Sequence, residues 1–263
     1  MRGKKMQNNS IKGKTVLVTG ATKGMGFACS KAMLEQGANL VMVYHSDAER
    51  AEQVKSELSI YADHYFLLQA DIAQPQERQR ILDKTLLKFK NIDVLVNNAG
   101  IAATAGFLKE TEEGFDKIID VNLKAPIFLA QLVAKQMIDQ GQGGSIINFS
   151  SVAAHRAFGG ISYDAAKAGV LRATQTMANA LGKYNIRVNS ISPGMHNTEM
   201  NRAHWEHKTE LYKSMVAVTA LQRSAKADEM SGTVIYLASD QSSYVTGTDI
   251  IADGGFLSHC PGR

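Results

Sequence analysis

The sequence predicts an α/β fold: one domain built on a doubly wound parallel sheet of about seven strands, with helices on both faces. Three observations predict it. Short apolar runs alternate with longer amphipathic ones along the chain, and strands buried on both faces read as continuous apolar stretches. A glycine-rich turn over residues 14–26, KTVLVTGATKGMG, joins the first such strand to the first helix. Polar segments at 97–100, 150–151 and 193–198 fall where strands end, the edge at which sheets of this kind bind ligands.

The elements follow in order. Val16, Leu17 and Val18 form the first strand, and Thr19 and Gly20 end it. Gly24 and Gly26 open an amphipathic helix over 24–36 that Gly37 stops. Residues 39–44 (NLVMVY) read as the second strand, and Ser46 with Glu49 has the spacing of a capping box for the next helix. A third strand covers 64–69, and Pro75 suits the first turn of a helix reaching about Phe89. Val94 to Val96 is the fourth strand. A helix over 111–120 leads into a longer one over 122–139, and the fifth strand spans 145–149. A long helix over 162–183, a sixth strand over 186–190 and a short seventh over 248–252 complete the pattern.

Composition bounds the function. With 263 residues, 44% hydrophobic and 21% charged, the chain can bury a sizeable core. No linker, repeat or composition break divides it, so 11–263 reads as one domain. A net charge of +4 without a basic, aromatic-laced stripe gives no reason to expect nucleic acid. No apolar run approaches membrane-spanning length. Residues 1–10 begin with basic residues but lack an apolar core, so they read as a flexible tail and not as a secretory signal. Cys29 and Cys260 have no metal or redox spacing and read as reduced thiols of a cytoplasmic protein.

Two patterns carry chemistry. The turn Gly20-xxx-Gly24-x-Gly26 lets backbone approach a ligand closely and aims a helix's free N–H groups at an anion. A dinucleotide pyrophosphate is the usual occupant, although the spacing departs from G-x-G-x-x-G, and a turn serving packing alone has the same residues. Tyr163 and Lys167, four residues apart on a helix, share one face. A phenol titrates near ~10, and a neighbouring ammonium favours its phenolate, which brings acid/base work within reach. Taken singly, such a pair also decorates many ordinary amphipathic helices.

In company these patterns are specific. The glycine turn, Asn97-Asn98-Ala99-Gly100, Asn122, Ser150-Ser151, Tyr163-xxx-Lys167, Pro193-Gly194 and Asp253-Gly254-Gly255 occur in that order over 11–255. The chain thereby resembles the short-chain dehydrogenase/reductase (SDR) family, whose fold is a Rossmann-type sheet. The resemblance implies hydride transfer between nicotinamide and a carbonyl or secondary-alcohol substrate, without a metal. Tyr163 is then the general acid/base. Lys167 lowers its pKa and bonds the nicotinamide ribose. A serine of the 150–151 pair holds the substrate oxygen, and Asn122, at a helix kink, holds Lys167 and a relay water.

The cofactor would contact Gly20, Thr22, Lys23, Gly24, Met25 and Gly26 at the pyrophosphate turn. Asp71 and Ile72 fall at the adenine, and Asn98, Ala99 and Gly100 along the ribose. Pro193, Gly194, His196 and Thr198 fall around the carboxamide. Asp253 reads as a structural landmark.

Two choices stay open. Counting back from Tyr163 with the family's usual spacing selects Ser150, whereas the strand wording IINFSS puts Ser151 in the usual slot. Strand register is harder to shift than loop length, which favours Ser151. After the second strand, where NAD-preferring relatives carry a carboxylate, stand Tyr44, His45 and Ser46, with none until Asp47. Lys23, His45 and Ser46 could together receive a 2′-phosphate, which favours NADP over NAD. The plainer reading is a solvated Lys23 and a capping Ser46.

Residues 195–225 hold Trp205, His196, His204, His207 and several methionines, and read as a substrate lid. His204 and His207 are at helical spacing without further ligands, so no metal is expected. The resemblance implies a dimer or tetramer through the helices over 122–139 and 162–183, with 256–263 reaching toward a neighbour. Asn179, Lys183, Tyr184 and Arg172 make only a thin basic patch for a 3-oxoacyl-carrier-protein reductase, and a sugar or polyol dehydrogenase, or a tailoring reductase of a larger apolar ketone, fits at least as well. A cofactor-binding sensor or scaffold would be marked by a broken Ser/Asn/Tyr/Lys set, and here the set is whole.

Overall fold

The computed structural model describes residues 11–102, 105–158 and 160–259. The tail over 1–10, Cys260 and the end of the segment expected to reach a neighbour lie outside them. In chain order the elements are β1 (Thr15–Thr19), α1 (Gly24–Glu35), β2 (Asn39–Tyr44), α2 (Ala48–Glu57), β3 (Tyr65–Gln69) and α3 (Pro75–Phe89). Then come β4 (Val94–Asn97), α4 (Glu112–Ile119), α5 (Ala125–Gln140), β5 (Gly144–Phe149), α6 (Ile161–Leu181) and β6 (Ile186–Pro193). The last third holds β7 (His196–Asn197), α7 (Arg202–Glu206), α8 (Glu210–Ala217), β8 (Ala225–Lys226), α9 (Ser231–Ala238) and β9 (Asp249–Ala252).

Seven strands form one parallel sheet in the order β3-β2-β1-β4-β5-β6-β9. Alternation along the strands sorts their side chains to the two faces. Val16, Val18, Leu40, Met42 and Val96 pack with Cys29, Met33, Val234 and Leu237 of α1 and α9. Leu17, Val41, Val43, Leu95 and Ile146 pack with Ile81, Leu129, Val133 and Met137 of α3 and α5. Both faces are covered, which is the doubly wound architecture the sequence predicts. Cys29 is buried, and burial pushes its thiol up to about 12, so it is an inert packing residue.

The order reverses beside β1, whose neighbours are β2 and β4, and a crevice opens at that point beyond the strand ends. Thr19 pairs with Val43 on one side and Asn97 on the other. Its hydroxyl accepts from the N–H groups of Asn98 and Ala99, both at 3.1 Å, and the Asn98 amide donates to the carbonyls of Thr19 (2.9 Å) and Gly20 (3.0 Å). The glycine turn and the loop after β4 are thus one hydrogen-bonded unit.

Local expectations need two corrections. Ser46 does not cap α2: Asp47 does, accepting from the Arg50 N–H at 2.9 Å. Its carboxylate is the stronger acceptor and complements the positive end of the helix. The helix expected over 111–120 does lead into the longer one, through a π-helical turn over Asp120–Lys124 that joins α4 to α5. Finally, α6 ends at Leu181, and Gly182–Tyr184 is a 3₁₀ turn with Asn185 in the left-handed region.

Candidate active site

A cleft of about 360 Å³ lies beyond the carboxyl ends of β4, β5 and β6, roofed by the 195–225 segment. Ser151, Tyr163 and Lys167 line it, with Asn98, Gly100, Pro193, Gly194, His196 and Thr198. Residues scattered over a hundred positions converge because β5 delivers the serines, α6 crosses behind them, and the loop after β6 closes the far side.

The two serines face different ways. Ser150 is buried and donates to the Lys167 carbonyl at 2.9 Å, pinning α6 to β5. Ser151 caps the short turn after β5, its hydroxyl accepting from the Ala153 N–H at 3.1 Å, and it also bonds the Tyr163 side chain. Burial is the largest influence on the Tyr163 phenol and raises its pKa. The Ser151 hydrogen bond opposes this, and the charge of Asp164 adds to the rise. The phenol therefore stands above its ordinary value in the protein itself, contrary to the lowering expected from Lys167.

Desolvation acts on the lysine too. Lys167 is 5% exposed, its ammonium donates to the Phe149 carbonyl at 2.8 Å, and burial lowers it to about 8. Its Nζ lies 5.6 Å from the centre of the Tyr163 ring.

Asn122 is buried in the π turn, and its amide makes two bonds of 2.8 Å with the backbone of Ile101. The expected hold on Lys167 is therefore not made by the side chain, which instead fixes the loop after β4. A Cβ on Gly100 would stand 3.3 Å from Asn122 Oδ1 and 3.7 Å from Lys167 Nζ, so backbone, amide and ammonium are closely packed.

The glycine turn fits a dinucleotide. Lys23 precedes α1 without a side-chain cap, and the first turn carries no acid, which leaves the leading N–H groups for an anion. Gly20 (φ +65°) and Gly24 (φ +50°) take left-handed backbone, and a Cβ on Gly26 would meet the Gly20 carbonyl oxygen at 2.2 Å. Met25 borders the cleft, and the Thr22 carbonyl accepts from Arg50 Nε at 3.0 Å.

Other expected contacts are placed differently. The Asn98 amide is spent on Thr19 and Gly20, so what it offers a ligand is the surface of a fixed loop. Ile72 points into the core, and Asp71 turns back on itself to accept the Ala73 N–H at 2.9 Å. His196 is buried, bonded through Nδ1 to the Gly194 carbonyl at 3.2 Å, and burial lowers its pKa. A Cβ on Gly194 would lie 2.6 Å from Asp253 Cα, and the Asp253 carboxylate accepts from the N–H groups of Gly255 and Leu257 at 2.8 Å, which fits a structural landmark.

His45 and Ser46 are exposed at the end of β2. Lys23 pairs with Asp47, a carboxylate that adjacency in sequence did not associate with it. Arg50 was also missed: it lies over the Phe27 ring at 4.7 Å and is bonded to Glu57. Only its place in the first turn of α2 pointed to this.

The expected lid is an excursion closed at its base by β7 pairing with β8. Trp205 Nε1 donates to the Thr198 carbonyl at 3.0 Å, and Met200, His204, Leu211 and Met215 line the cleft. His204 Nδ1 is within 3.0 Å of the Thr209 hydroxyl. Among the described residues no group of three or more His, Cys, Asp or Glu could hold a metal ion.

Comparison with known proteins shows the family. The family model described as enoyl-(acyl carrier protein) reductase matches residues 20–257. An L-rhamnose 1-dehydrogenase (NAD(P)(+)) of Sphingomonas sp. (strain SKA58) is 37% identical over 249 residues, 93% of this chain and 96% of the relative. A 2-dehydro-3-deoxy-D-gluconate 5-dehydrogenase of Escherichia coli (strain K12) is 33% identical, over 95% of this chain and 97% of that protein. The crystal structure of a short-chain type dehydrogenase/reductase from Mycobacterium marinum superposes with a TM-score of 0.89 at 33% identity, covering 96% of this chain and 98% of the other. The chain belongs to the short-chain dehydrogenase/reductase family. It is an oxidoreductase that works with a nicotinamide cofactor, NAD(P).

Proposed function

We propose that the protein is an NADP(H)-preferring dehydrogenase of a sugar or polyol, interconverting a carbonyl and an alcohol with Tyr163 as general acid/base. The observation that carries this reading is the meeting of Ser151, Tyr163 and Lys167 in one cleft beside an uncapped, glycine-lined helix start. Two relatives named for sugar and sugar-acid substrates favour carbohydrate over acyl carrier protein.

A bound nicotinamide supplies or takes the hydride. In oxidation Tyr163 Oη accepts the proton of the substrate hydroxyl, and in reduction it returns one to the carbonyl oxygen. Ser151 donates to that same oxygen and fixes its distance from Tyr163. Lys167 holds positive charge beneath the phenol, favouring its anion once the ammonium is turned toward ligand hydroxyls. Asn122 keeps the loop at Ile101 in place behind the reacting groups. Gly20, Thr22, Lys23, Gly24, Met25 and Gly26 would cradle the pyrophosphate, with Asp71 and Ile72 flanking the adenine by their backbone. Ala99 and Gly100 would line the ribose, and Pro193, Gly194, His196 and Thr198 the carboxamide.

NADP preference rests on Lys23, aided by Arg50, with His45 and Ser46 open beside them. Asp47 and Glu57 offset these cations, so the preference is modest and NAD remains usable. We place the enzyme in the cytoplasm as a homotetramer. No helix among the described residues is long and apolar enough to cross a membrane, and light scattering on the purified protein tests the assembly.

The deciding experiment is steady-state oxidation of a sugar panel by wild type and Tyr163→Phe, with both cofactors. Loss of at least about 100-fold in kcat on Tyr163→Phe, with cofactor affinity kept, is expected. Unchanged turnover in the variant, or binding of neither cofactor, overturns the reading.

A further inference from the structure

The buried stripe of α3 contains a charge. Its inward positions are Arg78, Ile81, Leu82 and Thr85, the spacing of a core-facing helix side, and Arg78 is only 4% exposed. An arginine is almost never so covered unless it is paired, because its guanidinium gives up hydration. The charges of Asp120 and Asp71 reach it, but among the described residues no carboxylate is in ion-pair contact with it. Its partners are backbone. Nη1 donates to the carbonyls of Ile72 (2.7 Å) and Ala73 (2.9 Å), and the guanidinium lies 5.8 Å from the centre of the Phe128 ring on α5.

Those carbonyls belong to the loop that leaves the carboxyl end of β3. The loop is also tied to itself, since Asp71 Oδ1 accepts the Ala73 N–H at 2.9 Å and the Asp71 carbonyl accepts the Gln74 N–H at 3.1 Å. Packing alone does not call for a cation here, because an apolar side chain would continue the stripe as Ile81 and Leu82 do. What the arginine adds is a fixed shape for this loop. Ile72 is buried and the Asp71 carboxylate is turned back on its own loop, so a base resting at this edge meets backbone.

We propose that Arg78 is a positioning residue for the cofactor, which sets the backbone wall beside the adenine by holding the Ile72 and Ala73 carbonyls. The inference rests on the cofactor reading above, in which Asp71 and Ile72 flank the adenine. Arg78 acts through the loop and touches no reacting atom. With the arginine in place the wall is formed before the ligand arrives. Without it the loop has to be ordered on binding, which lowers affinity. Adenine is common to both dinucleotides, so loss of Arg78 weakens NAD and NADP alike, unlike loss of Lys23.

The experiment is calorimetric titration of wild type, Arg78→Met, Arg78→Lys and Leu82→Ala with NADPH, NADH and 2′,5′-ADP, the adenosine half of NADP. Methionine fills the stripe with a long apolar side chain and offers the carbonyls no donor, whereas lysine restores charge and donors. Leu82→Ala damages the same stripe and keeps the arginine, so it controls for lost packing. Arg78→Met is expected to weaken all three ligands together by about tenfold. Arg78→Lys should recover to within about threefold of wild type, and Leu82→Ala should bind as wild type does despite a lower melting temperature. Unchanged affinities in Arg78→Met, a loss confined to NADPH, or an equal loss in Leu82→Ala overturns the proposal. Failure of wild type to bind either dinucleotide overturns the cofactor reading itself, and this inference with it. Arg78→Gln, whose amide falls short of the carbonyls, carries the same comparison if the methionine variant does not fold.

Discussion

His155 Nε2 lies 2.8 Å from Asp249 Oδ2, joining the loop after β5 to the outermost strand of the sheet. The same carboxylate accepts from the hydroxyls of Ser190 (2.6 Å) and Ser192 (2.7 Å). Although serine, histidine and aspartate meet here, both serines give their protons to the carboxylate, so this is a clamp and no hydrolytic centre. A second fastening lies alongside, where Phe158 and Arg156 pack on Phe256. The clamped loop runs from Ser151 to the start of α6 and carries Phe158 in the cleft wall. His155→Ala should therefore raise KM several-fold with less effect on kcat, and cost about 1 kcal/mol of stability. Paired kinetics and thermal unfolding check this; an unaltered KM would show the loop is held by the aromatic contacts alone.

The two serines after β5 separate by experiment as they do by geometry. Ser151→Ala should lower kcat about 100-fold while leaving thermal stability nearly unchanged, because its hydroxyl faces the cleft and Tyr163. Ser150→Ala removes a buried donor to the Lys167 carbonyl and should cost about 1–2 kcal/mol of stability with a smaller loss of kcat. A larger kcat loss in Ser150→Ala than in Ser151→Ala would reverse the assignment.

What the sequence made legible follows from the range over which each feature is determined. The strands β1, β2 and β4 are built on short apolar runs (VLV, LVMV and VLV) whose type and ends depend on neighbouring residues, and they were readable within a residue or so. In contrast, α9 went unread, since its stretch SGTVIYLA is continuously apolar from Val234 on and too short for its period to distinguish helix from strand. The Tyr163–Lys167 pair was readable because i and i+4 share a helix face. The partners of Lys23 and Asn122 were not, because Asp47 and Ile101 reach them only through the tertiary fold. The titration of Tyr163 was misjudged for the same reason: burial, a property of the whole cleft, outweighs the charge one turn away.

Lys23 and Asp47 set a test of cofactor choice. A 2′-phosphate has to draw Lys23 from its partner, so the ion pair tempers NADPH binding. Lys23→Ala should weaken NADPH about tenfold and leave NADH nearly unchanged. Asp47→Asn should strengthen NADPH, and an asparagine still caps α2. Calorimetric titration with each cofactor measures both, and parallel losses for NADH and NADPH in Lys23→Ala would assign the lysine to the pyrophosphate instead.

Lys167 makes the stability of the cofactor-free protein depend on pH with a defined sign. Burial lowers its folded-state pKa from 10.5 to about 8, so in between the unfolded chain binds the proton and the folded chain does not. The cost of burying the ammonium is fully present below pH ~8 and is relieved as pH rises toward ~10.5, which increases stability over that window. The difference of 10.5 and 8 corresponds to roughly 3 kcal/mol. Tyr163 works against this at the upper end. Its raised pKa means the unfolded phenol ionises first, so stability is lost above pH ~10. Denaturant unfolding from pH 7 to 10 should show wild type gaining stability relative to Lys167→Met, which keeps a long side chain without the charge. Parallel curves for the two proteins would mean that the ammonium is solvated in solution. A bound cofactor should flatten the difference, because its hydroxyls give the charged lysine partners that the Phe149 carbonyl alone does not supply.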